Sequence, residues 1–270
     1  MRLAITHATV YRFDEPATRA IQTLRLTPRT TESQLVDRWR IDVSQDCRLV
    51  PVEDAYGNLT HSFSIDGPID ELVIEASGEV VTEDTAGVLH ATRERLPLAV
   101  FLRLTDRTPL EASVRDFAAT ALAESGDDRL SALHLMMGRI HETITHTPGA
   151  AVRLPHEVLA GGSGSAEDIS HLFATAARSL GIPTRCVSGW LAEPATPVED
   201  HPHGWIEAHL GPGLGWVGFD ALENECPTDR WVRLAVGLDA LDVLPIRGVR
   251  THFGAETVET RIEVREISRA

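Results

Sequence analysis

The chain begins with a two-residue rhythm. Leu3, Ile5 and Tyr11 fall on one parity, and Leu35, Trp39, Ile41 and Val43 alternate with polar neighbours. This is the period of half-buried antiparallel strands. Tyr56-Gly57-Asn58 is a turn signal, and Leu72 to Val81 reads as another strand. Residues 1–90 are therefore expected to form an all-β unit, a small sandwich.

Near Leu98 the period changes. Val114, Phe117, Ala118, Ala121 and Leu122 recur at helical spacing, as do Leu130, Leu133, Met137, Ile140, His141 and Ile144. Ser125-Gly126-Asp127-Asp128 breaks these two helices, with Asp127 or Asp128 as N-cap. The Gly-rich run Gly161-Gly162-Ser163-Gly164 then leads into a third helix, with Ile169, Leu172, Phe173, Ala176 and Leu180 on its apolar face. Gly181 and Pro183 mark its stop. Strands return at Arg185 to Leu191, His203 to Leu210 and Gly215 to Asp220, with a loop from Leu191 to Asp200. At the end, Val258, Thr260, Ile262 and Val264 alternate with Glu259, Arg261, Glu263 and Arg265. The fold class is α+β, with a second unit over residues 91–270.

The composition is that of an ordinary globular protein, 43% hydrophobic and 24% charged. A net charge of −15 argues against nucleic acid or an anionic membrane as partner. Cys47, Cys186 and Cys226 are too few and too scattered for a disulfide framework or a zinc site. The N-terminus lacks the apolar run of a signal peptide, and no stretch has the length of a membrane span, so a cytoplasmic protein is expected.

Three features point to chemistry. A Gly-rich loop feeds a helix start at Ala166, where unpaired N–H groups and the dipole favour a thiolate or an oxyanion. His203 opens a strand and can serve as a general base. Asp220 ends another and can fix that histidine's tautomer.

These blocks resemble the bacterial transglutaminase-like proteins, relatives of papain-type cysteine proteases. Gly164-Ser165-Ala166-Glu167-Asp168-Ile169-Ser170-His171 stands where the family typically reads Gly-Val-Cys-Gln-Asp-Phe-Ala-His. Leu180 to Trp190, Pro202 to Glu207 and Gly215 to Asp220 are similar to its later blocks, in order and spacing. Arg25 to Arg29, Tyr56-Gly57-Asn58 and Pro245 to Gly248 extend the likeness over nearly the whole chain. The resemblance implies a β-rich N-terminal domain, a papain-like transglutaminase domain of helices on an antiparallel sheet, and acyl transfer on amides through a thioester. It places Ala166 at the nucleophile position, His203 as base and Asp220 as its orienter. The backbone N–H of Ala166 would serve the oxyanion.

The decisive residue departs from the family. Cysteine is replaced by Ala166, glutamine by Glu167, phenylalanine by Ile169, alanine by Ser170 and valine by Ser165. Loss of a nucleophile costs roughly a factor of 10⁶ in turnover. Ser165 points about 100° away and Ser170 sits about 6 Å along the axis, so neither replaces it. Cys186 reads as a small buried hydrophobe, and Cys226, beside Pro227, as the most accessible thiol. A laboratory exchange would alter one position, so natural divergence is the better reading. The expected function is a pseudoenzyme that binds a peptide or amide-bearing partner. The alternative is an active cysteine peptidase or transglutaminase whose nucleophile was removed, and a third reading is an inactive partner of an active paralogue.

His201, His203, Glu207 and His209 invite a metal reading, but alternate residues on a strand lie about 7 Å apart, too far for one ion. No metal or cofactor is expected. Trp190, Trp205 and Trp216 are candidates to line a substrate groove, and Asp168 and His171 to support the site from behind.

Overall fold

The computed structural model describes residues 1–89, 94–149, 151–192, 198–199 and 202–267. The opening alternation becomes two very long strands, β1 (Arg2–Thr27) and β4 (Leu59–Thr82), with β2 (Gln34–Val43) and β3 (Val50–Glu53) along β4. β1 and β4 run antiparallel, with Ile5 opposite Gly78 and Leu24 opposite His61. Register breaks between Arg12 and Arg19 divide the pairing into two halves. Every second residue of β1 from Leu3 to Phe13 is buried, and the buried parity switches to even positions after the break. A break of this kind swaps which parity faces inward, so one strand can keep an apolar face through a bend.

The second unit starts with β5 (Val88–Leu89) and a 3₁₀ turn at Leu98–Leu102. Helices α1 (Ala112–Glu124) and α2 (Arg129–Thr143) follow, the latter capped by Asp128, whose Oδ2 accepts from Ser131 N at 2.8 Å. Next come β6 (Thr145–His146), α3 (Pro155–Gly161), β7 (Ser163–Gly164) and α4 (Ala166–Ser179). The strands β8 (Thr184–Leu191), β9 (Val198–Glu199), β10 (His203–His209), β11 (Trp216–Phe219) and β12 (Trp231–Gly237) complete this part, before the short α5 (Ala240–Val243). Apart from β9, these later strands join β5 in an antiparallel sheet of order β12-β8-β10-β11-β5. Most of the expected loop between Leu191 and Asp200 lies outside the described residues.

Helix α4 is the centre of this unit. Only Glu167 and Ser179 in it are not buried. One side packs on α1, α2 and α3, the other on β8 and β10. Leu172 and Phe173 share a core with Leu133, Met136, Ile140, Cys186 and Ile206. Each such large apolar side chain contributes about 1.5–3 kcal/mol by leaving water.

The chain then returns to its first sheet. β13 (Ile246–Thr251) pairs with Arg19 to Leu24 of β1, and β14 (Glu256–Glu266) with Leu3 to Phe13. β9 pairs with β14. The alternation in 258–264 predicts a strand correctly, but its partner is the N-terminal sheet, not the sheet of residues 184–237. Among the described residues, the strands of the N-terminal β region join β9, β13 and β14 in one hydrogen-bonded sheet of seven strands.

The two units share a core in which Trp190, Val232 and Leu234 meet Leu3, Ile5 and Leu24. Two side-chain amides also tie them. Strand β12 lies at the edge of its sheet, where backbone groups lack a partner strand. Asn58 donates to Val236 O and accepts from Val236 N, each at 2.8 Å. Gln34 does the same for Arg233 at 2.8 Å. The turn at Tyr56-Gly57-Asn58, where Gly57 has φ +87°, places Asn58 for this task. Among the described residues, no helix is long and apolar enough to cross a membrane.

Candidate active site

The start of α4 is fixed by a reciprocal cap. Ser165 Oγ accepts from Asp168 N at 3.2 Å, and Asp168 Oδ2 accepts from Ser165 N at 3.0 Å. Asp168 is wholly buried, and its other oxygen accepts from Arg153 N at 3.1 Å. The loop before the helix is pinned by parallel pairing of β6 with β7, His146 opposite Gly164. A Cβ at Gly164 would stand 3.0 Å from Asp168 Cβ and 3.3 Å from Val158, so a larger residue there would have to push these side chains aside by a few tenths of an ångström. Ala166 is thereby held in the first turn, 7% exposed, in the wall of a small groove that opens to solvent.

His203, the first residue of β10, lies in the same wall. Its Nε2 is 2.5 Å from Asp220 Oδ2. Asp220 is fully buried just after β11. Its Oδ1 accepts from Leu222 N at 3.0 Å and Glu223 N at 3.1 Å, and its Oδ2 from Trp231 Nε1 at 2.9 Å. Three of its four partners are donors only. With the carboxylate in its acceptor role throughout, the fourth must also be an N–H, so His203 carries its proton on Nε2. The lone pair is then on Nδ1. A histidine oriented by a buried carboxylate and lining one groove with a helix N-terminus is the arrangement that thiol acyl-transfer chemistry uses.

The comparisons agree with this geometry. The family model described as "Bacterial transglutaminase-like N-terminal region" matches residues 3–81, and "Transglutaminase-like superfamily" matches 115–221. Over residues 115–221 the chain thus matches the transglutaminase-like superfamily. Uncharacterized protein ML0607 of Mycobacterium leprae is 26% identical to it over 288 residues, covering 99% of both chains. Uncharacterized protein Rv2569c of Mycobacterium tuberculosis is 26% identical over 275 residues, covering 92% of this chain and 87% of its own. Among solved structures, a "Putative Cysteine Protease" from Cytophaga hutchinsonii superposes with a TM-score of 0.76 over 100% of this chain and 92% of that one, at 17% identity. That likeness establishes the shared fold.

In this transglutaminase-like chain the three tryptophans are not where the sequence reading expects them. None lines the groove of Ala166. Trp190 is fully buried between the units, donating to His7 Nδ1 at 3.2 Å. Trp216 is buried under Arg185, whose guanidinium sits 3.9 Å from its ring centre. Trp205 is buried with its ring 6.2 Å from that of His203. Large aromatic surfaces on strands pack inward here because the sheet is covered on both faces. The tryptophan that touches the Asp220 network is Trp231, which sequence reading passes over. His171, expected behind the site, is instead part of the groove wall.

No thiol replaces the missing one. Cys186 does reach the groove wall, but burial pushes its pKa up to about 12 and its S–H points to Leu238 O at 3.6 Å. Burial pushes Cys226 up to about 11, and raises Cys47 as well. Ser165 is committed to the helix cap, while Ser170 lies in the groove wall one turn after Ala166.

The histidine and glutamate series of β10 does not converge on an ion. Glu207 is buried, bonded by Arg185 Nε at 2.6 Å and facing Arg233 Nε at 2.8 Å. Burial works to raise its pKa, but the two guanidinium groups outweigh it and the net shift is downward. His209 packs edge-on against Trp216. His201 lies outside the described residues. Among the described residues, no group of three His, Cys, Asp or Glu side chains is placed to hold a metal.

Proposed function

We propose that this protein binds a peptide or another amide-bearing partner in the Ala166 groove and forms no thioester with it. The observation that carries this reading is the combination of an intact His203–Asp220 pair with a methyl group, Ala166, in the same groove. His203 is read as the family's base and Asp220 as its orienter. A methyl side chain offers no electron pair to a carbonyl, so the two have no nucleophile to activate. What remains is a shaped groove with a helix N-terminus at one wall, which can still hold a carbonyl oxygen.

A library of N-acetylated peptide amides, screened by backbone amide NMR, tests this. Ligands are expected to shift Ala166, Ser170 and Gly204, and to be recovered uncleaved. Cleavage above the rate of a His203→Ala variant overturns the reading. The intact Asp220 network also favours a second reading, an amide-cleaving or acyl-transferring enzyme whose cysteine was exchanged for Ala166. A cysteine codon at this position in the genome would establish it.

A further inference from the structure

His171 is a buried polar side chain that the proposed function leaves unused. It is 2% exposed and contributes to the groove wall from the same face of α4 as Ala166, Glu167 and Ser170. Its Nε2 accepts from Ala240 N, the first residue of α5, at 2.9 Å. A ring nitrogen that accepts carries no proton, so the hydrogen of the neutral imidazole is on Nδ1. Burial pushes its pKa down to about 4, so the ring is neutral at physiological pH and this tautomer persists.

That Nδ1–H has no acceptor among the described residues. Buried donors are nearly always satisfied, by protein, water or ligand. Here the donor belongs to a residue of an open groove. Ser188 lies in the same wall, and its hydroxyl donates to Val243 O at 2.7 Å, which leaves its oxygen able to accept. A donor and an acceptor in one groove match an amide, which offers both. The charge of the lining points the same way. The described lining holds no lysine or arginine, and Glu167 is its one carboxylate. An anionic acceptor would find no lysine or arginine to pair with there, and one carboxylate to repel it.

We propose that His171 is a specificity-determining residue of the groove, its Nδ1–H binding the carbonyl oxygen of an uncharged amide. The inference rests on the binding function proposed above and names the contact that selects the ligand. It gives a role to the histidine on the helix face that carries Ala166, Glu167 and Ser170. It also gives α5 a role, because Ala240 N fixes the tautomer that makes Nδ1 the donor.

The test is NMR of the imidazole nitrogens in the unmodified protein, with acetamide as neutral probe and sodium acetate as charged control. The free protein is expected to show the Nδ1–H form of His171. Acetamide should move the Nδ1–H resonance to a saturable limit, together with the Ala166 and Ser170 amides, while acetate leaves it unmoved. A His171→Phe variant should bind acetamide about 5- to 10-fold more weakly, the cost of one neutral hydrogen bond. An Nε2–H tautomer in the free protein overturns the proposal without any variant. So does acetamide binding that shifts Ala166 and Ser170 but not His171, an outcome that leaves the binding function standing. Acetamide failing to shift any groove resonance counts against both, and the peptide amide screen then shows whether the binding function survives alone.

Discussion

The indole Nε1–H of Trp231 donates at 2.9 Å to Oδ2 of Asp220, the oxygen that also faces His203. The two donors therefore compete for the same electron density. Replacing Trp231 by Phe removes one of them and keeps most of the ring's packing. The carboxylate should then hold the imidazolium form of His203 more strongly. The expected result is a rise in the His203 pKa, read by NMR titration. Stability should fall by about 1.5–3 kcal/mol, the range for a hydrogen bond to a charged group. A His203 pKa that is unchanged or lowered would mean that Trp231 is only a packing residue.

Restoring the missing thiol tests whether the rest of the site is competent. In an Ala166→Cys variant, the rate of alkylation by iodoacetamide against pH reports the pKa of the new thiol. Below pH 8 it should be the main reacting group, since burial holds Cys186 at about 12 and Cys226 at about 11 and raises Cys47. The helix N-terminus and His203 should bring the new thiol well below the usual value of about 8.5. Adding His203→Ala should return it most of the way. A thiol that titrates normally in both variants would show that the site has lost more than its sulfur.

Two buried histidines predict acid sensitivity. Burial pushes both His7 and His171 down to about 4, from an ordinary value of 6.5. Between these limits the unfolded chain binds a proton at each residue and the folded chain does not. Stability is therefore at its full value above pH 6.5, falls as the pH drops towards 4, and is flat with respect to these two groups below that. Each histidine accounts for about 3 kcal/mol over the window. Urea midpoints measured at pH 7.5 and pH 5 should show the loss. A His7→Phe variant that still folds should show a smaller one.

The parts legible in the sequence are those fixed by local pattern. The run from Gly161 to His171 signals a helix start, and the structure places Ala166 in the first turn of α4. His203 and Asp220 stand at the ends of two expected strands, and the structure places them at the start of β10 and just after β11. Trp231 was hidden for a physical reason. The strand Trp231–Gly237 is buried on both faces, so it has no alternation to mark it, and an apolar run of that length reads equally as helix or strand. Nothing local distinguishes Trp231 from Trp190, Trp205 or Trp216, because only the tertiary approach to Asp220 sets it apart. Similarly, the alternation of Val258 to Val264 reports which face is buried but not which strand lies beside it. That partner, β1, is more than 240 residues away in sequence.

Glu207 illustrates the same limit and gives a final prediction. In sequence it looks like a metal ligand among histidines. In the fold it is the anion that compensates the buried guanidinium of Arg185 and the partly buried one of Arg233. Arg185 has a second partner in Glu94 at 3.1 Å and stacks on Trp216, whereas Arg233 relies on Glu207. Glu207→Gln should therefore cost about 3–5 kcal/mol, the penalty for leaving a buried charge uncompensated. Pairing it with Arg233→Met removes the stranded charge and should recover part of that loss, because buried ion pairs can be replaced by apolar groups at little cost. Urea denaturation of the single and double variants decides the matter. If the double variant is no more stable than Glu207→Gln alone, the stranded Arg233 charge is not what Glu207 offsets.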